Sequence, residues 1–368
     1  MQARKSEGVD RVLLIYFSVI VVLGLAALFS ASTPVGFAKF GDAWFFVKRQ
    51  VLFGIIPGVI FAVIFSYLRL DLLKKFSWAI YAASIVFLLL VFIPGIGVMI
   101  NSSRSWVNIL GFTFQPAEFS KLAVVVILAH LLSQKKYDWE DWQRSIVPVL
   151  AILSPTLILI LLQPDIGTLS IIIAEITVML FVAMVPFRYL TIMGLVGVVA
   201  FVGLVSAAPY RVQRITTFLH PELDPMGQGY QMNQAFLAVG SGGFWGRGFG
   251  QSRQKYQYLP EVSADTIFAV IAEENGFLVS SALVVLILLI VWRGLKISLA
   301  SEDPFGALLA AGIMIWFGWQ SYLNIGATVG ALPLTGVPLP FVSHGGSAMV
   351  MALSGAGIVL NISRKSNI

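Results

Sequence analysis

An acidic residue at the start of a predicted membrane helix is the strongest candidate for a catalytic side chain. Asp265 ends the segment L-P-E-V-S-A-D, directly before a long apolar stretch. An Asp at such a place often caps the helix, and the positive end of the helix dipole favours its ionised form. An ionised carboxylate can also accept a proton from a hydroxyl group as a general base. Asp265 is therefore the candidate catalytic residue, with a simple helix cap as the alternative.

A second polar group combines cations, an acid and an aromatic ring. Arg104 and Trp106 lie in N-S-S-R-S-W, and Glu118 and Lys121 follow in F-Q-P-A-E-F-S-K. Glu118 and Lys121 are three residues apart, so they share one face of a helix that begins at Pro116. A salt bridge that only stabilises this helix is an equally good explanation, and Trp106 alone suits an interfacial anchor. As a set, the four side chains suit a phosphate and a sugar ring.

Two further segments carry charges between apolar stretches. Asp165 lies in the turn Q-P-D-I-G-T, where capping of the next helix is the simpler explanation. Arg211 and Arg214 lie in Y-R-V-Q-R and share one face if that segment is helical. Such a pair suits a pyrophosphate, and it suits anionic lipid headgroups equally well.

The last polar segment is P-L-P-F-V-S-H-G-G-S, which contains Ser343 and His344. Its prolines favour an extended entry into the membrane. A lone His is more often structural than catalytic, and the sequence has no His pair at metal-ligand spacing. The chain has no Cys, which excludes a thiol nucleophile and a Cys-based metal site. We therefore predict no protein metal site and take both residues as candidate substrate contacts.

The elements that must position these residues are membrane helices. Of the 368 residues, 58% are apolar and only 11% are charged, whereas a soluble domain carries about 25% charged residues. Apolar stretches recur from end to end, so we predict one membrane domain over residues 1–368. The basic residues form no patch of the kind that binds nucleic acid.

The predicted fold is an all-α, polytopic bundle of about ten transmembrane helices. Each apolar stretch is close to the ~20 residues that cross a bilayer. A long extracytoplasmic loop, about 209–265, separates helices 7 and 8, and an amphipathic helix at 228–239 is expected to lie in the membrane interface. The ten helices are placed at 12–32, 50–68, 77–94, 116–133, 145–162, 166–185, 188–208, 266–293, 304–326 and 345–362.

Orientation follows from the short loops that are rich in Lys and Arg, which stay in the cytoplasm. This places both termini in the cytoplasm of a multi-pass inner-membrane protein. The segments 95–115, 163–168, 209–265 and 327–344 then lie on the outer side, and they carry the candidate residues. We therefore expect the active face to be extracytoplasmic.

In this order the segments resemble the SEDS family of shape, elongation, division and sporulation proteins, and the resemblance covers nearly the whole chain. The stretches 224–235 and 248–261 are closer to the division members than to the elongation members. There are two departures. The family usually has T-D-F where this chain has Ala264-Asp265-Thr266, and S-Y-G-G where it has Ser343-His344-Gly345-Gly346.

The resemblance implies a peptidoglycan glycosyltransferase of the bacterial inner membrane that polymerises lipid II for septal wall synthesis during cell division. It implies ten transmembrane helices, an undecaprenyl-diphosphate-linked glycan as second substrate, and a class B penicillin-binding protein among other divisome partners. Asp265 matches the essential acid of the family. A divalent cation such as Mg or Mn is a candidate aid. The residues that match the family's other motifs are Arg104, Trp106, Glu118, Lys121 and Asp165.

Four alternatives stay open. One is an elongation polymerase of the same family. Another is a lipid II flippase, for which Glu175, Glu273 and Glu274 could line a polar path. A ligase of the O-antigen type is not favoured by these motifs. A scaffold that only recruits a transpeptidase would leave the outer charged residues without a role.

Overall fold

A computed structural model describes residues 8–100, 103–109, 112–134, 141–206, 209–256 and 258–366. The described chain is a bundle of helices with one small sheet. The helices are α1 Arg11–Phe40, α2 Phe45–Gln50, α3 Ile56–Tyr67, α4 Leu70–Lys75, α5 Ser77–Leu90, α6 Pro116–Leu132, α7 Trp142–Leu162, α8 Ile166–Val182, α9 Phe187–Ser206, α10 Pro209–Leu219, α11 Gln228–Gly242, α12 Ile267–Ala300, α13 Pro304–Thr328 and α14 Gly346–Ser363.

The predicted polytopic helical bundle is confirmed. Within the described residues, six helices are long and apolar enough to cross a membrane, and α5, α8 and α9 are shorter apolar helices. The one remaining predicted span, 116–133, is α6, which has 17 residues and is buried along almost its whole length. α2 and α3 run into one another through a π-helical turn, Val51–Ile55, and together form the second predicted span.

Two predicted helices are longer than expected. α1 continues to Phe40, where Gly41 ends it in the left-handed conformation at φ 68° and donates its N–H to Phe37. α12 continues to Ala300 and is broken at Gly276, whose φ of 71° is not helical. Glycine is needed there because a Cβ would lie 2.3 Å from the backbone nitrogen of Gly246. The break lets the loop after α11 approach the α12 backbone.

The segment after α5 forms a three-stranded antiparallel sheet that hydropathy did not predict. Its strands are β1 Gly97–Ile100, β2 Ser103–Ile109 and β3 Phe112–Phe114, in that order. The strands are short, and only the brief polar–apolar alternations at 107–109 and 112–114 signal them. The sheet leads directly into α6.

The interior of the bundle is formed by α6, α13 and α14, whose side chains are mostly buried. Small residues allow these helices to approach closely. Gly312 of α13 faces Val125 of α6 and Met179 of α8, and Gly357 of α14 faces the backbone of Ala62 in α3. By contrast, most side chains of α9 are exposed.

The long predicted loop 209–265 is helical in its first part, up to Gly242. α10 is followed by a short 3-10 turn, Pro221–Leu223, and then by α11. The predicted amphipathic helix is therefore present, and it packs against α12. Met232 is buried, as the amphipathic pattern indicated, and Ala235 and Ala238 are buried with it.

Candidate active site

Asp265 is the last residue but one of a turn-rich segment, residues 259–266, which we call the acid loop. Thr266 is the N-cap of α12 and makes no capping bond with its side chain; its hydroxyl donates to the carbonyl of Pro260 instead (2.8 Å). Asp265 therefore does not cap the helix, contrary to the plainer sequence interpretation. Its side chain is partly buried, and its Oδ1 atom is buried with no hydrogen-bond partner among the described residues.

Burial, and after it the negative charge of Glu261, raises the pKa of Asp265 to about 7. The neighbouring Gln231 side chain and backbone hydrogen bonds act in the opposite direction and do not outweigh these effects. The expectation that the helix dipole favours the ionised form is thus wrong for this site, because desolvation is the larger effect. A carboxyl with this pKa is well matched to general base catalysis near neutral pH.

An extended segment, residues 335–344, which we call the strap, runs beside the acid loop. The Ser343 hydroxyl donates to the carbonyl of Ala264, and the His344 N–H donates to the carbonyl of Ser263 (2.8 Å). Gly336 lies next to the acid, since a Cβ there would be 3.9 Å from Oδ2 of Asp265. The structure therefore brings Ser343 and His344 together with Asp265, through backbone contacts.

The His344 ring is held in an aromatic and basic corner. It packs edge-on against Phe46, with 5.2 Å between ring centroids. Burial, with Arg49 nearby, lowers the pKa of His344 to about 4. The ring is therefore neutral at physiological pH, and it is a hydrogen-bonding group rather than a cation.

A buried amide that sequence reasoning missed clamps this corner. Gln50 donates from Nε2 to the carbonyl of Ser343 (3.2 Å) and accepts at Oε1 from the N–H of Gly345 (2.9 Å). It directly precedes the π-helical turn, a feature frequent at functional sites. The usable signal was an amide inside an otherwise apolar span.

Glu118 and Lys121 form a buried ion pair below the strap. The Lys121 Nζ atom lies 2.8 Å from Glu118 Oε1, and the two side chains are 0% and 2% exposed. Lys121 also donates to Oε1 of Gln320 (2.7 Å) and lies 4.9 Å from the ring centroid of Trp316. The pair therefore stabilises the start of α6 and reaches the strap through Gln320, while its role in substrate binding stays a prediction.

A small cavity adjoins this ion pair. It has a volume of about 10 Å³, and its lining includes Glu118, Gln320 and Ser343. The second carboxylate oxygen of Glu118, Oε2, is buried with no partner among the described residues. This space holds one water molecule at most. In this conformation Lys121 therefore offers no surface to a phosphate group.

The sheet presents two of the predicted residues. On β2, Arg104 is exposed and Trp106 is half-buried, while Ser105 between them is buried. Ser105 donates to the carbonyl of Gln163 (3.4 Å), which ties the sheet to the turn before α8. The register between β1 and β2 shifts here, with Val98 opposite Trp106 and Met99 opposite Arg104, so the regular alternation of faces is broken at Ser105.

Asp165 is the N-cap of α8. It accepts hydrogen bonds from the N–H of Thr168 (2.9 Å) and from its hydroxyl (2.8 Å), so the capping interpretation is confirmed. Two residues later, Gly167 lies so close to the strap that a Cβ would be 3.1 Å from the carbonyl of Thr335. Asp165 therefore lies at the same end of the bundle as Asp265.

Arg211 and Arg214 lie on α10, which is helical as their spacing required. Both side chains are partly exposed. α10 packs on α9 and α11, and α11 also carries Gln231 beside Asp265. The two arginines are thus connected to the acid through one intervening helix.

Two buried glutamates hold the chain that leads to the acid loop. Glu274 receives bonds from Lys255 Nζ (2.7 Å) and the Ser30 hydroxyl (2.6 Å), and the Lys255 side chain is 4% exposed. Glu273 accepts from the Ser252 hydroxyl and from the N–H of Arg253 (3.0 Å). Both intramembrane acids are therefore paired, which gives them a structural role.

The described residues contain no group of three or more His, Asp or Glu side chains placed to hold a metal ion. A divalent cation at this site would therefore need ligands from the substrate. That expectation stays open.

The chain is similar to known proteins along its whole length. A family described as cell cycle protein, with FtsW, RodA and SpoVE, matches residues 10–368. The stage V sporulation protein E of Bacillus subtilis (strain 168) is 41% identical over 98% of this chain and 99% of that protein. A probable peptidoglycan glycosyltransferase FtsW of Geobacter sp. (strain M18) is 36% identical over 98% of both.

Solved structures give the same picture. A chain of a peptidoglycan synthase complex, which coordinates polymerization and crosslinking, has a TM-score of 0.77 and 29% identity, covering 97% of this chain and 98% of that one. The rod shape determining protein RodA of Thermus thermophilus has a TM-score of 0.71 and 28% identity, covering 97% of each. These likenesses extend to the fold and are not confined to single motifs.

Proposed function

This chain belongs to the family of cell cycle proteins that includes FtsW, RodA and SpoVE, and we propose that it is a peptidoglycan glycosyltransferase that polymerises lipid II. The observation that carries the proposal is Asp265, a partly buried acid of the acid loop with a pKa of about 7 that lies beside the strap. Similar proteins that carry the name of this activity support it.

In the proposed reaction the donor is a growing glycan on undecaprenyl diphosphate, and the acceptor is lipid II. Asp265 removes the proton from the 4-hydroxyl of the acceptor sugar. The oxygen then attacks the anomeric carbon of the donor, the glycosidic bond forms, and undecaprenyl diphosphate leaves with the electron pair of the broken bond. General base catalysis of this kind contributes about 10²–10⁴-fold to a rate.

The basic residues around the acid are assigned to the pyrophosphates. Arg104, Arg211 and Arg214 are exposed or partly exposed and can reach anionic groups. Lys121 would act on a phosphate only if its pair with Glu118 opened. Trp106 lies on the same strand as Arg104, two residues away, and suits contact with a sugar ring. A divalent cation carried by the pyrophosphate would lower the repulsion between the two lipid-linked substrates.

The proposed setting is septal wall synthesis at the outer face of the bacterial inner membrane, with both termini in the cytoplasm. A class B penicillin-binding protein is the proposed partner, in keeping with the likeness to a chain of a peptidoglycan synthase complex. A role in spore wall synthesis is the second candidate, favoured by the 41% identity to stage V sporulation protein E. Both roles use the same chemistry.

The flippase alternative is weakened by the contacts of its expected polar path. Glu273 and Glu274 bind the chain that leads to the acid loop and line no open route. Glu175 is buried in α8. A path of deep acids open to a headgroup is therefore not what the described residues form.

The test is polymerisation of labelled lipid II by purified protein in detergent, with and without a cognate transpeptidase and divalent cations. Wild type should give a ladder of glycan strands on a gel. Asp265→Ala and the isosteric Asp265→Asn should fold and lose about 10²–10⁴-fold in rate. Unchanged polymerisation by both variants would remove Asp265 as the base.

A wild-type protein without any ladder under all these conditions would contradict the polymerase itself. Transfer of labelled lipid II across liposomes would then be measured. A control variant, Glu302→Ala, removes an exposed acid from the turn between α12 and α13 and should polymerise normally.

A further inference from the structure

Two buried amides lie one turn apart on α13. The Nδ2 atom of Asn324 donates to the carbonyl of Asp265 and to the carbonyl of Val337, both at 2.8 Å. The Nε2 atom of Gln320 donates to the carbonyl of Pro338 (2.8 Å). Asn324 and Gln320 are each 2% exposed, so these bonds are shielded from water.

The bonds of Asn324 join two segments that are far apart in the chain. Asp265 is in the acid loop, and Val337 is in the strap. Ser343 and His344 of the strap hold the preceding acid-loop residues, 263 and 264. Asn324 binds the backbone carbonyl of Asp265 itself, whereas the Gln231 side chain contacts its carboxylate.

The carboxylate depends on this backbone bond for its placement. Asp265 Oδ1 is buried with no partner among the described residues, and no helix cap fixes it. The carboxylate interacts with the Gln231 side chain and with the backbone of residues 265 and 266, so its direction depends on how the backbone is held at residue 265. Catalytic groups that are misplaced by about 1 Å can lose about 10²-fold in rate.

We propose that Asn324 is a positioning residue for the Asp265 carboxylate, which it holds against the strap through a shared amide. This rests on the proposed function of Asp265 as the base. Gln320 extends the connection, because its Oε1 accepts from Lys121 (2.7 Å) while its Nε2 holds the strap. α13 thereby links the buried ion pair to the catalytic acid.

The chain offers a matched control in Asn361 on α14. Its Nδ2 atom also donates to two backbone carbonyls, those of Phe65 (2.7 Å) and Leu68 (2.5 Å), and its side chain is similarly buried, at 6%. It ties α14 to the turn between α3 and α4, away from the acid loop. An Asn361→Ala variant therefore loses the same number and kind of bonds at another place.

The experiment measures initial rates of lipid II polymerisation against substrate concentration, together with thermal unfolding. Asn324→Ala should lower kcat by about 10²-fold and leave KM within about threefold. Its unfolding temperature should fall no further than that of Asn361→Ala, whose kcat should stay near wild type. Equal kcat values for the two variants would overturn the proposal and leave Asn324 a structural residue.

A second variant guards against poor folding of the first. Asn324→Asp keeps the shape of the side chain and adds a second acid beside Asp265. Among the described residues, Glu261 is the charged group that already raises the pKa of Asp265. It should lower kcat. The fall of the rate on the acidic side of the pH profile, its acid limb, should move to higher pH, because a second negative charge raises the pKa of Asp265. An unmoved limb would contradict contact between residue 324 and the site.

Failure of this inference and failure of the proposed function give different results. If wild type polymerises and Asn324→Ala equals Asn361→Ala, only the positioning role is lost. If wild type forms no glycan strands, the proposed function fails and the positioning role fails with it.

Discussion

Asp265 gains its chemical character from the residues that surround it. A free aspartate is almost fully ionised at neutral pH and is therefore a weak base. Burial and the charge of Glu261 raise the pKa of Asp265 to about 7, where proton transfer is most efficient. Glu261 has a φ of 52°, a strained conformation for a residue with a side chain. The acid loop thus maintains a pair of nearby acids at some cost in stability.

The pH dependence of the rate tests this environment. Below about pH 7 Asp265 carries a proton and cannot accept another, so kcat/KM should fall about tenfold per pH unit. Glu261→Gln removes the negative charge that raises the pKa of Asp265, so its acid limb should lie at lower pH than that of wild type. The measurement is the initial rate of lipid II polymerisation between about pH 5.5 and 8.5.

Glu302→Gln is the matched control, since it removes an exposed acid from the turn before α13. Its acid limb should coincide with that of wild type. A Glu261→Gln profile that coincides with both would mean that Glu261 does not act on the base.

Glu175 is the buried acid for which the proposed mechanism has no role. It is 0% exposed in α8, and both of its carboxylate oxygens lack a hydrogen-bond partner among the described residues. Burying an unpartnered polar group costs stability, so Glu175→Met should raise the free energy of unfolding by about 1–4 kcal/mol. Polymerisation should continue, because Asp265 is untouched. Thermal unfolding and the lipid II gel assay measure the two effects.

Glu273→Met is the contrasting variant. Glu273 accepts bonds from the Ser252 hydroxyl and the N–H groups of Arg253 and Gln254, and its removal leaves these donors unpaired. It should destabilise the protein by about 3–5 kcal/mol. Loss of polymerisation in Glu175→Met would instead give Glu175 a functional role and strengthen the transport alternative.

At the scale of the elements, the break in α12 lets the loop after α11 bind the helix. At Gly276 the loop passes so close that a Cβ would lie 2.6 Å from the carbonyl oxygen of Phe244, and φ is 71°. Gly276→Ala should therefore destabilise the protein by several kcal/mol, at least ~2. Gly240→Ala is the control, because nothing lies within 4 Å of its Cβ position in α11. It should be neutral or stabilise by about 0.5–1 kcal/mol.

The unfolding temperatures of the two variants, measured in the same detergent, test whether the loop is held against α12. Equal stabilities would mean that the loop is not held against α12 at Gly276. Activity should fall with stability in Gly276→Ala, since the same loop leads to Asp265.

Hydropathy predicted the helices well because each span has to cover its own stretch of hydrocarbon. It could not predict the small sheet, since β1 and β3 have only four and three residues. The motifs located Asp265, but its environment depends on a contact with Asn324, 59 residues later in the chain. Gln50 and Gln320 were missed because an amide in a span carries no charge to draw attention.

At the scale of the whole molecule, the site is assembled from distant parts of the chain. The acid loop, the strap and the start of α6 meet where α13 supplies Gln320 and Asn324. α6, α13 and α14 are buried in the interior, while α1, α3 and α9 expose large apolar side chains as helices facing lipid do. The rigid centre thus positions the acid, and the outer helices meet the membrane.

The proposed orientation makes a whole-molecule prediction that the sequence is well suited to test. The chain contains no cysteine, so single cysteines can be introduced without background. Glu222→Cys places a thiol in the exposed turn after α10, and Glu302→Cys places one in the exposed turn between α12 and α13. An odd number of spans separates these two turns, because α12 is the one transmembrane helix between them.

In intact cells whose outer barrier has been removed, a membrane-impermeant maleimide should label Glu222→Cys and leave Glu302→Cys unlabelled. Both should react after the membrane is permeabilised, which controls for access to each thiol. The lipid-linked substrates would then meet Asp265 from the outer side, since the acid loop lies at the end of α12 opposite to Glu302. The reverse labelling pattern would place Asp265 in the cytoplasm, where it could not extend glycan strands outside the membrane.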